Sequence, residues 1–329
     1  MLFRGQILGK YKILAPLGSG GFGIVYLAKD TWIDKDVAIK VPHKQNLNFT
    51  ELLREPRLLA ALSHPNIVSI TTAEKEDSIF FIVMEYVPGD TLETIIANNG
   101  ALETDRALNF ACQASLAVEH AHRQGVIHRD LRPPNILVTE SDVLKVADFG
   151  TSRFLEIAAQ STTVIGSPPY MAPEQFEGKA VFASDLYSLG VTMYQMFTGV
   201  LPYETPAPSD LEKLKTGELV RPPRLQTPSI PKTINDIIMK AMAPDLGKRY
   251  QRAGQLRTDL ESCREAGRER HQPPLSPATT QGAVRTDGHA LGVQSRSKTR
   301  KGPPARFCWQ CNKPLHARTD RCPFCGETQ

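Results

Sequence analysis

Long apolar runs are missing from this sequence. The longest uncharged window, Leu186 to Tyr203, is broken by Ser188, Thr192, Gln195 and Thr198. It falls short of the roughly 20 mostly apolar residues that a membrane span needs, so a buried helix is expected there. The chain opens without a basic stretch followed by an apolar one, so no secretory signal is expected and a cytoplasmic setting is the reading. Internal repeats at 20–50 residue periods are also absent. Cysteine is scarce except at the C-terminal end, where four of the six (Cys308, Cys311, Cys322, Cys325) fall in the last 22 residues. Such spacing in a cytosolic chain suggests metal rather than disulfides. The net charge of +4 lacks a basic globular face behind it. Nine Lys/Arg against three Asp/Glu lie between Arg264 and Arg306, which leaves the rest of the chain at −2. The excess belongs to a solvated segment, and nucleic acid is not expected as a partner.

What is present is ample for folding. Hydrophobic residues make up 41 % and charged residues 22 % of 329, close to an average soluble protein. Composition changes near Cys263. From 264 to 305 come Pro273, Pro274, Pro277, Pro303 and Pro304 among small polar residues. This stretch cannot bury enough surface to offset its ordering entropy and reads as a disordered linker. Before it, Tyr11–Leu14, Ile24–Ala28 and Val37–Val41 are strand-like. Ile79–Met84 is a continuous apolar run, as in a strand buried on both faces. From Thr104 the period changes: Ala107, Phe110, Ala111, Ala114, Ala117, Val118 and Ala121 form one helical stripe, and Gly125 supplies the stop. A strand-rich beginning and a helix-rich remainder predict two lobes in an α+β fold.

Chemistry-bearing residues recur at the joints of this pattern. Gly18-Ser-Gly20-Gly-Phe-Gly23 lies between two strands, where glycines let backbone N–H groups approach a polyphosphate; alone it is equally an ordinary glycine-rich hairpin. Val37-Ala-Ile-Lys40 places a lysine in an apolar strand, a costly site for an unpaired charge. His128-Arg-Asp130-Leu-Arg132-Pro-Pro-Asn135 follows the helix stop. Asp148-Phe-Gly150 follows Leu144-Lys-Val-Ala147, and Ala172-Pro-Glu174 comes 24 residues after Asp148. In this order the motifs resemble the eukaryotic-type serine/threonine protein kinase family, bacterial branch, over 11–263.

The resemblance implies a bilobal kinase fold, β-rich then α-helical. It implies transfer of the ATP γ-phosphate to Ser/Thr hydroxyls of protein substrates, with Mg²⁺ or Mn²⁺ as cofactor. Lys40 then neutralises the α/β-phosphates, Asp148 and Asn135 hold the metal, and Asp130 orients the attacking hydroxyl. Leu17, Gly18, Gly20 and Gly23 cover the nucleotide. Val25, Ala38 and Leu137 sandwich adenine, Met84 is the gatekeeper, and the backbone of Glu85 to Val87 forms the hinge. Glu55, nine residues before His64-Pro-Asn-Ile-Val68, is the implied partner of Lys40, with Glu51 as the fallback. Pro56 directly after Glu55 bends that helix or makes it start late.

Arg132 stands where the family usually has a γ-phosphate-contacting Lys, and its fork differs in shape. Pro134 replaces a Glu common in basophilic kinases. Gly166-Ser167-Pro-Pro-Tyr170-Met171 fits the Ser/Thr branch. Ser161, Thr162 and Thr163 are expected autophosphorylation sites pairing with Arg129 and Arg153, with an ordinary polar loop as the plainer reading. Asp185 and Arg249 match scaffold residues of the family, the latter paired with Glu174. Arg132 and Pro56 also support a rival, an ATP-binding pseudokinase scaffold.

Cys308-x-x-Cys311 and Cys322-x-x-Cys325, ten residues apart, suit a tetrahedral Zn²⁺ site, and 306–329 resembles a shortened zinc ribbon. Redox-active cysteines are the competing reading, weakened by the lack of a thioredoxin-like βαβ pattern. The ribbon is expected to dock a protein rather than nucleic acid, since only the linker is markedly basic. Cys112 and Cys263 read as inert packing residues.

Overall fold

A computed structural model describes residues 2–21, 23–43, 45, 62–149, 167–271, 306–307, 314–315 and 321. The chain divides into two compact units, Met1–Pro273 and Pro274–Gln329.

The first unit begins with antiparallel strands β1 (Ile7–Leu8), β2 (Tyr11–Ser19), β3 (Gly23–Asp30), β4 (Lys35–Pro42), β5 (Ile70–Glu76) and β6 (Ile79–Glu85). They form one sheet in the order β1-β2-β3-β4-β6-β5. All four strands expected from β-branched and aromatic runs are present, each longer than its apolar segment. β5 escaped detection because ITTAEKE is polar and lies at the sheet edge. Strand alternation makes two apolar faces. Tyr11, Ile13, Tyr26, Val37, Ile39, Phe81 and Val83 pack together on one. Ala38, Phe80, Ile82 and Met84 cluster on the other, with Val25 and Ile70 against them. Two covered faces explain why Ile79–Met84 is apolar at every position.

Beyond β6 come β7 (Asp90–Thr91), α1 (Leu92–Asn99), α2 (Thr104–Arg123), β8 (Ile136–Val138) and β9 (Leu144–Val146). Thr91 caps α1 by accepting from the Thr94 N–H. The predicted stripe of α2 is buried from Ala107 to Ala121, and Gly125 (φ +74°) turns the chain after it. Strands β7, β8 and β9 form a small sheet.

α3 (Phe182–Thr198) holds most of the uncharged window and is buried on nearly every side, as a core helix rather than a membrane span. Gly190 lets it approach the following helices closely, since a Cβ there would lie 2.9 Å from Ala241 Cβ. α4 (Leu211–Thr216), α5 (Pro223–Gln226), α6 (Lys232–Ala241) and α7 (Ala253–His271) complete the unit. α7 runs beyond Cys263 to His271, so the first residues of the expected linker 264–305 are helical. Arg and Glu are good helix formers, and their polarity at 264–270 hid that extension. No helix among the described residues is long and apolar enough to cross a membrane. In the second unit, β10 (Arg306–Phe307) pairs antiparallel with β11 (Pro314–Leu315).

Candidate active site

The site lies where the strand-rich and helix-rich halves meet. β2 and β3 form the glycine-bearing hairpin, closed by Gly20 N–H donating to Gly23 O at 3.0 Å. Its glycines differ in kind. A Cβ on Gly23 would sit 2.2 Å from the Val41 carbonyl oxygen, so the neighbouring strand requires glycine there. Around Gly18 and Gly20 a Cβ would meet nothing within 4 Å among the described residues, and neither has a positive φ. An added methyl at either position is therefore tolerated by the described fold. A cradle kept bare of side chains suits close backbone approach to phosphates. Leu17, at the rim, is exposed.

On β4, Lys40 is buried, and its Nζ is 2.6 Å from Asp148 Oδ1. In the sheet register Lys40 lies between Val25 and Ile82, and Ala38 between Leu27 and Met84. Val25, Ala38 and Met84 therefore share a face with the lysine. Across the cleft, Ile136 and Val138 of β8 point into the helical core while Leu137 faces the other way, half-buried. A cavity of about 30 Å³ is lined by Lys40, Leu62, Ile82, Met84, Asp148 and Phe149. Val87 is buried, and the Glu85 backbone N–H donates to Ser69 O at 2.9 Å.

The segment 128–135 is held in shape by buried anchors. Asp185, fully buried on α3, accepts from the backbone N–H groups of His128 and Arg129, both at 2.8 Å, and pairs with His122 Nε2 at 2.8 Å. Gln175 donates to Arg129 O at 2.9 Å. These bonds hold Arg129 at φ +69°, a strained conformation for a branched-chain-free but bulky residue. His128 Nε2 binds Ala147 O at 2.9 Å, and its ring lies 4.6 Å from that of Phe149. Asp148 is likewise at positive φ, +62°.

Within this frame Asp130 Oδ2 accepts from Arg132 Nε (3.2 Å) and Asn135 Nδ2 (3.1 Å). Asn135 Nδ2 also donates to Asp130 O at 2.7 Å. With the amide nitrogen committed to Asp130, its oxygen is the end left for a hard cation. Asp130 Oδ1 is buried without a hydrogen-bond partner among the described residues, a costly state for a carboxylate oxygen that a substrate hydroxyl would relieve. Bare glycines, an orphaned carboxylate oxygen and oxygen donors at Asn135 and Asp148 fit a nucleotide with a divalent cation.

Arg249 is fully buried and uses all its donors. It forks onto Glu174 at 2.6 and 3.1 Å and donates to the carbonyls of Ala183, Ala243 and Pro244. Tyr170 donates to Gln195 Oε1 at 2.7 Å, and burial pushes its hydroxyl pKa up to about 12. Cys112 is buried, which raises its thiol pKa, and Cys263 is partly buried; both are free thiols. Glu51, Glu55, Pro56, Gly150, Arg153, Ser161–Thr163 and the four C-terminal cysteines lie outside the described residues. Among the described residues no group of three or more His, Cys, Asp or Glu side chains comes together to hold a metal by itself.

Sequence reasoning passed over His122, Gln175 and Asn66. Asn66 Nδ2 donates to Leu144 O and Gln113 Oε1, and the Val146 N–H donates to Asn66 O, so it pins 64–68 onto β9. Its signal was its place inside His64-Pro-Asn-Ile-Val68; that of Gln175 was its position directly after Ala172-Pro-Glu174.

A family model described as the protein kinase domain matches residues 11–259. A probable serine/threonine-protein kinase of Clostridium perfringens is 39 % identical over 79 % of this chain and 39 % of its own length. Serine/threonine-protein kinase PrkC of Bacillus subtilis is 37 % identical over 82 % of the chain and 42 % of its length. For serine/threonine-protein kinase PknB of Mycobacterium tuberculosis the figures are 33 %, 90 % and 49 %. The chain thus spans less than half the length of these relatives. Among solved structures, Rad53 1-466 in complex with AMP-PNP superposes with a TM-score of 0.66 at 26 % identity, covering 76 % of this chain and 64 % of that one. By its motifs, its bilobal fold and these matches, the chain belongs to the protein kinase family.

Proposed function

We propose that this protein is a serine/threonine protein kinase that transfers the γ-phosphate of ATP to Ser/Thr hydroxyls of proteins. The observation that carries this reading is one constellation: Lys40 on Asp148 at 2.6 Å, beside an Asp130 whose Oδ1 is buried and has no partner among the described residues. Phosphoryl transfer depends on positioning and charge neutralisation more than on covalent chemistry by the protein. Asp130 Oδ1 orients the attacking hydroxyl and takes its hydrogen bond, and Arg132 and Asn135 fix the carboxylate by its other oxygen. Lys40 supplies positive charge to the α/β-phosphates. Asn135 and Asp148 would hold Mg²⁺ or Mn²⁺, which supplies further neutralisation of phosphate charge when bound. Gly18, Gly20 and Gly23 bring backbone amides over the nucleotide, with Leu17 at the rim. Val25, Ala38 and Leu137 enclose adenine beside Met84, and the backbone of Glu85–Val87 reads its edge. Glu55 is the proposed partner of Lys40, and Ser161–Thr163 the sites of autophosphorylation.

The proposed organisation is a kinase domain over 11–263, a segment over 264–305 that begins as the end of α7 and continues beyond His271 as a linker, and a zinc ribbon over 306–329, in a cytoplasmic protein. Support for the ribbon is the β10–β11 pairing, whose two strands flank the Cys308–Cys311 sequence on either side. Four thiolates suit Zn²⁺, and the ribbon docks a protein.

Labelled γ-phosphate transfer from Mg-ATP to a generic basic protein tests the reading. Wild type is expected to label Ser or Thr. Asp130→Asn should lose about 10²- to 10⁴-fold in kcat, and Lys40→Met at least about 10²-fold. Nucleotide binding without any labelling would overturn catalysis in favour of a scaffold.

A further inference from the structure

An ion pair crosses the cleft beside Met84 and touches none of the phosphate-handling side chains. Glu85 ends β6, and its carboxylate receives Lys145 Nζ at 2.9 Å on one oxygen and 3.1 Å on the other. The second oxygen also accepts from Ser69 Oγ at 3.2 Å, while the Glu85 backbone N–H donates to Ser69 O at 2.9 Å. Lys145 belongs to β9, opposite Leu137 of β8, and so shares the cleft-side face with Leu137. Its side chain is only 16 % exposed, which leaves the pair less screened than a surface one. One carboxylate therefore joins three elements: the strand that ends at the hinge, the segment before β5, and the strand leading to Asp148.

We propose that Lys145 is a positioning residue for nucleotide binding: acting through Glu85, it fixes the hinge backbone that adenine reads. This rests on the adenine site assigned above. Without the ammonium, Glu85 keeps only Ser69, and a half-buried carboxylate without a cation turns toward water and carries the hinge with it. Hinge contacts to adenine are equally strong before and during transfer. Their loss should raise KM for ATP and leave kcat in place. The charge, more than the side-chain shape, does this work, so Arg should substitute for Lys.

The test uses the full chain, with the Kd of a non-hydrolysable ATP analogue, steady-state KM and kcat for ATP, and the melting temperature of each variant. Lys145→Met and Glu85→Gln are each expected to weaken analogue binding and raise KM about fivefold, with kcat changed less than about twofold. The double variant should be no worse than either single one. Lys145→Arg should stay within about twofold of wild type, and the exchange of Glu85→Lys with Lys145→Glu should recover most of the affinity. An unchanged Kd in Lys145→Met would overturn the proposal, as would equal losses in the Met and Arg variants or a fall in kcat at constant KM. Should wild type bind the analogue yet transfer no phosphate, the kinase reading falls and the Kd comparison still decides the role of Lys145. Wild type that binds no nucleotide would overturn both.

Discussion

Gly23 and Gly20 are three residues apart in one hairpin, yet they are glycine for different physical reasons. At Gly23 an added methyl meets the Val41 carbonyl at 2.2 Å, so Gly23→Ala must push β3 away from β4. Overpacking of this kind costs about 1–3 kcal/mol, and a lower melting temperature is the expected result. At Gly20 the same methyl enters open space. Gly20→Ala should leave the melting temperature within about 1–2 °C and raise KM for ATP. Reversal of the two phenotypes would refute this division. Arg249 makes a second residue-scale case. Its guanidinium is fully buried and every donor is occupied. Arg249→Ala leaves the largely covered Glu174 without its cation, at a cost of about 3–5 kcal/mol by chemical denaturation. Arg249→Lys should recover little, because one ammonium cannot replace a fork and three carbonyl contacts. The motif residues themselves were legible in the sequence because phosphate chemistry admits few side chains at each place. Their supports were not: His122, Gln175 and Asn66 are ordinary polar residues whose partners lie between 46 and 78 positions away.

Among the elements, strand and helix type followed from the periodicity wherever one face meets a core. α2 and β6 are such cases, the first with a 3.6-residue stripe and the second apolar on both faces. β5 was invisible because it is an edge strand with a polar composition, and the end of α7 was hidden because its residues 264–270 are mostly charged or small. Neither element owes its existence to a pattern of its own; pairing with β6 and extension of a packed helix account for them. The segment before β5 carries a pH consequence. His64, in the segment pinned to β9 by Asn66, stacks against His120 of α2 with ring centroids 5.1 Å apart. Burial, helped by the charges of His120 and Lys145, lowers its pKa below the ordinary 6.5. The unfolded chain then binds a proton at a pH where the folded chain does not. Stability contributed by the neutral ring is complete above about pH 6.5 and declines as pH falls through that value toward the folded pKa. His64→Gln should flatten the dependence of unfolding free energy on pH between about 7 and 5. An unchanged slope would mean that other groups set it.

At the scale of the whole molecule, the two compact units are proposed to draw on different sources of stability. Met1–Pro273 has a continuous helical core and a sheet apolar on both faces, enough burial for cooperative folding by hydrophobic contact. The last 24 residues of the chain have no comparable supply. Chains below about 40 residues ordinarily need a metal, disulfides or a partner to fold, and four cysteines in two Cys-x-x-Cys pairs are suited to the first. On the proposed zinc ribbon, folding and metal binding are one event, and chelation is expected to unfold this segment alone. One Zn²⁺ per chain is expected by elemental analysis after purification without chelator. Cys322→Ser with Cys325→Ser should abolish that zinc and the protection of backbone amides in 306–329 from hydrogen exchange. The melting temperature of the kinase unit and its ATP affinity should not move, since the Lys40–Asp148 and Asp130–Asn135 contacts are all internal to the first unit. Disulfide-linked cysteines in the purified protein, with no zinc bound, would point to the redox reading of those four residues. A kinase unit that lost stability together with the zinc would show that the two units fold as one.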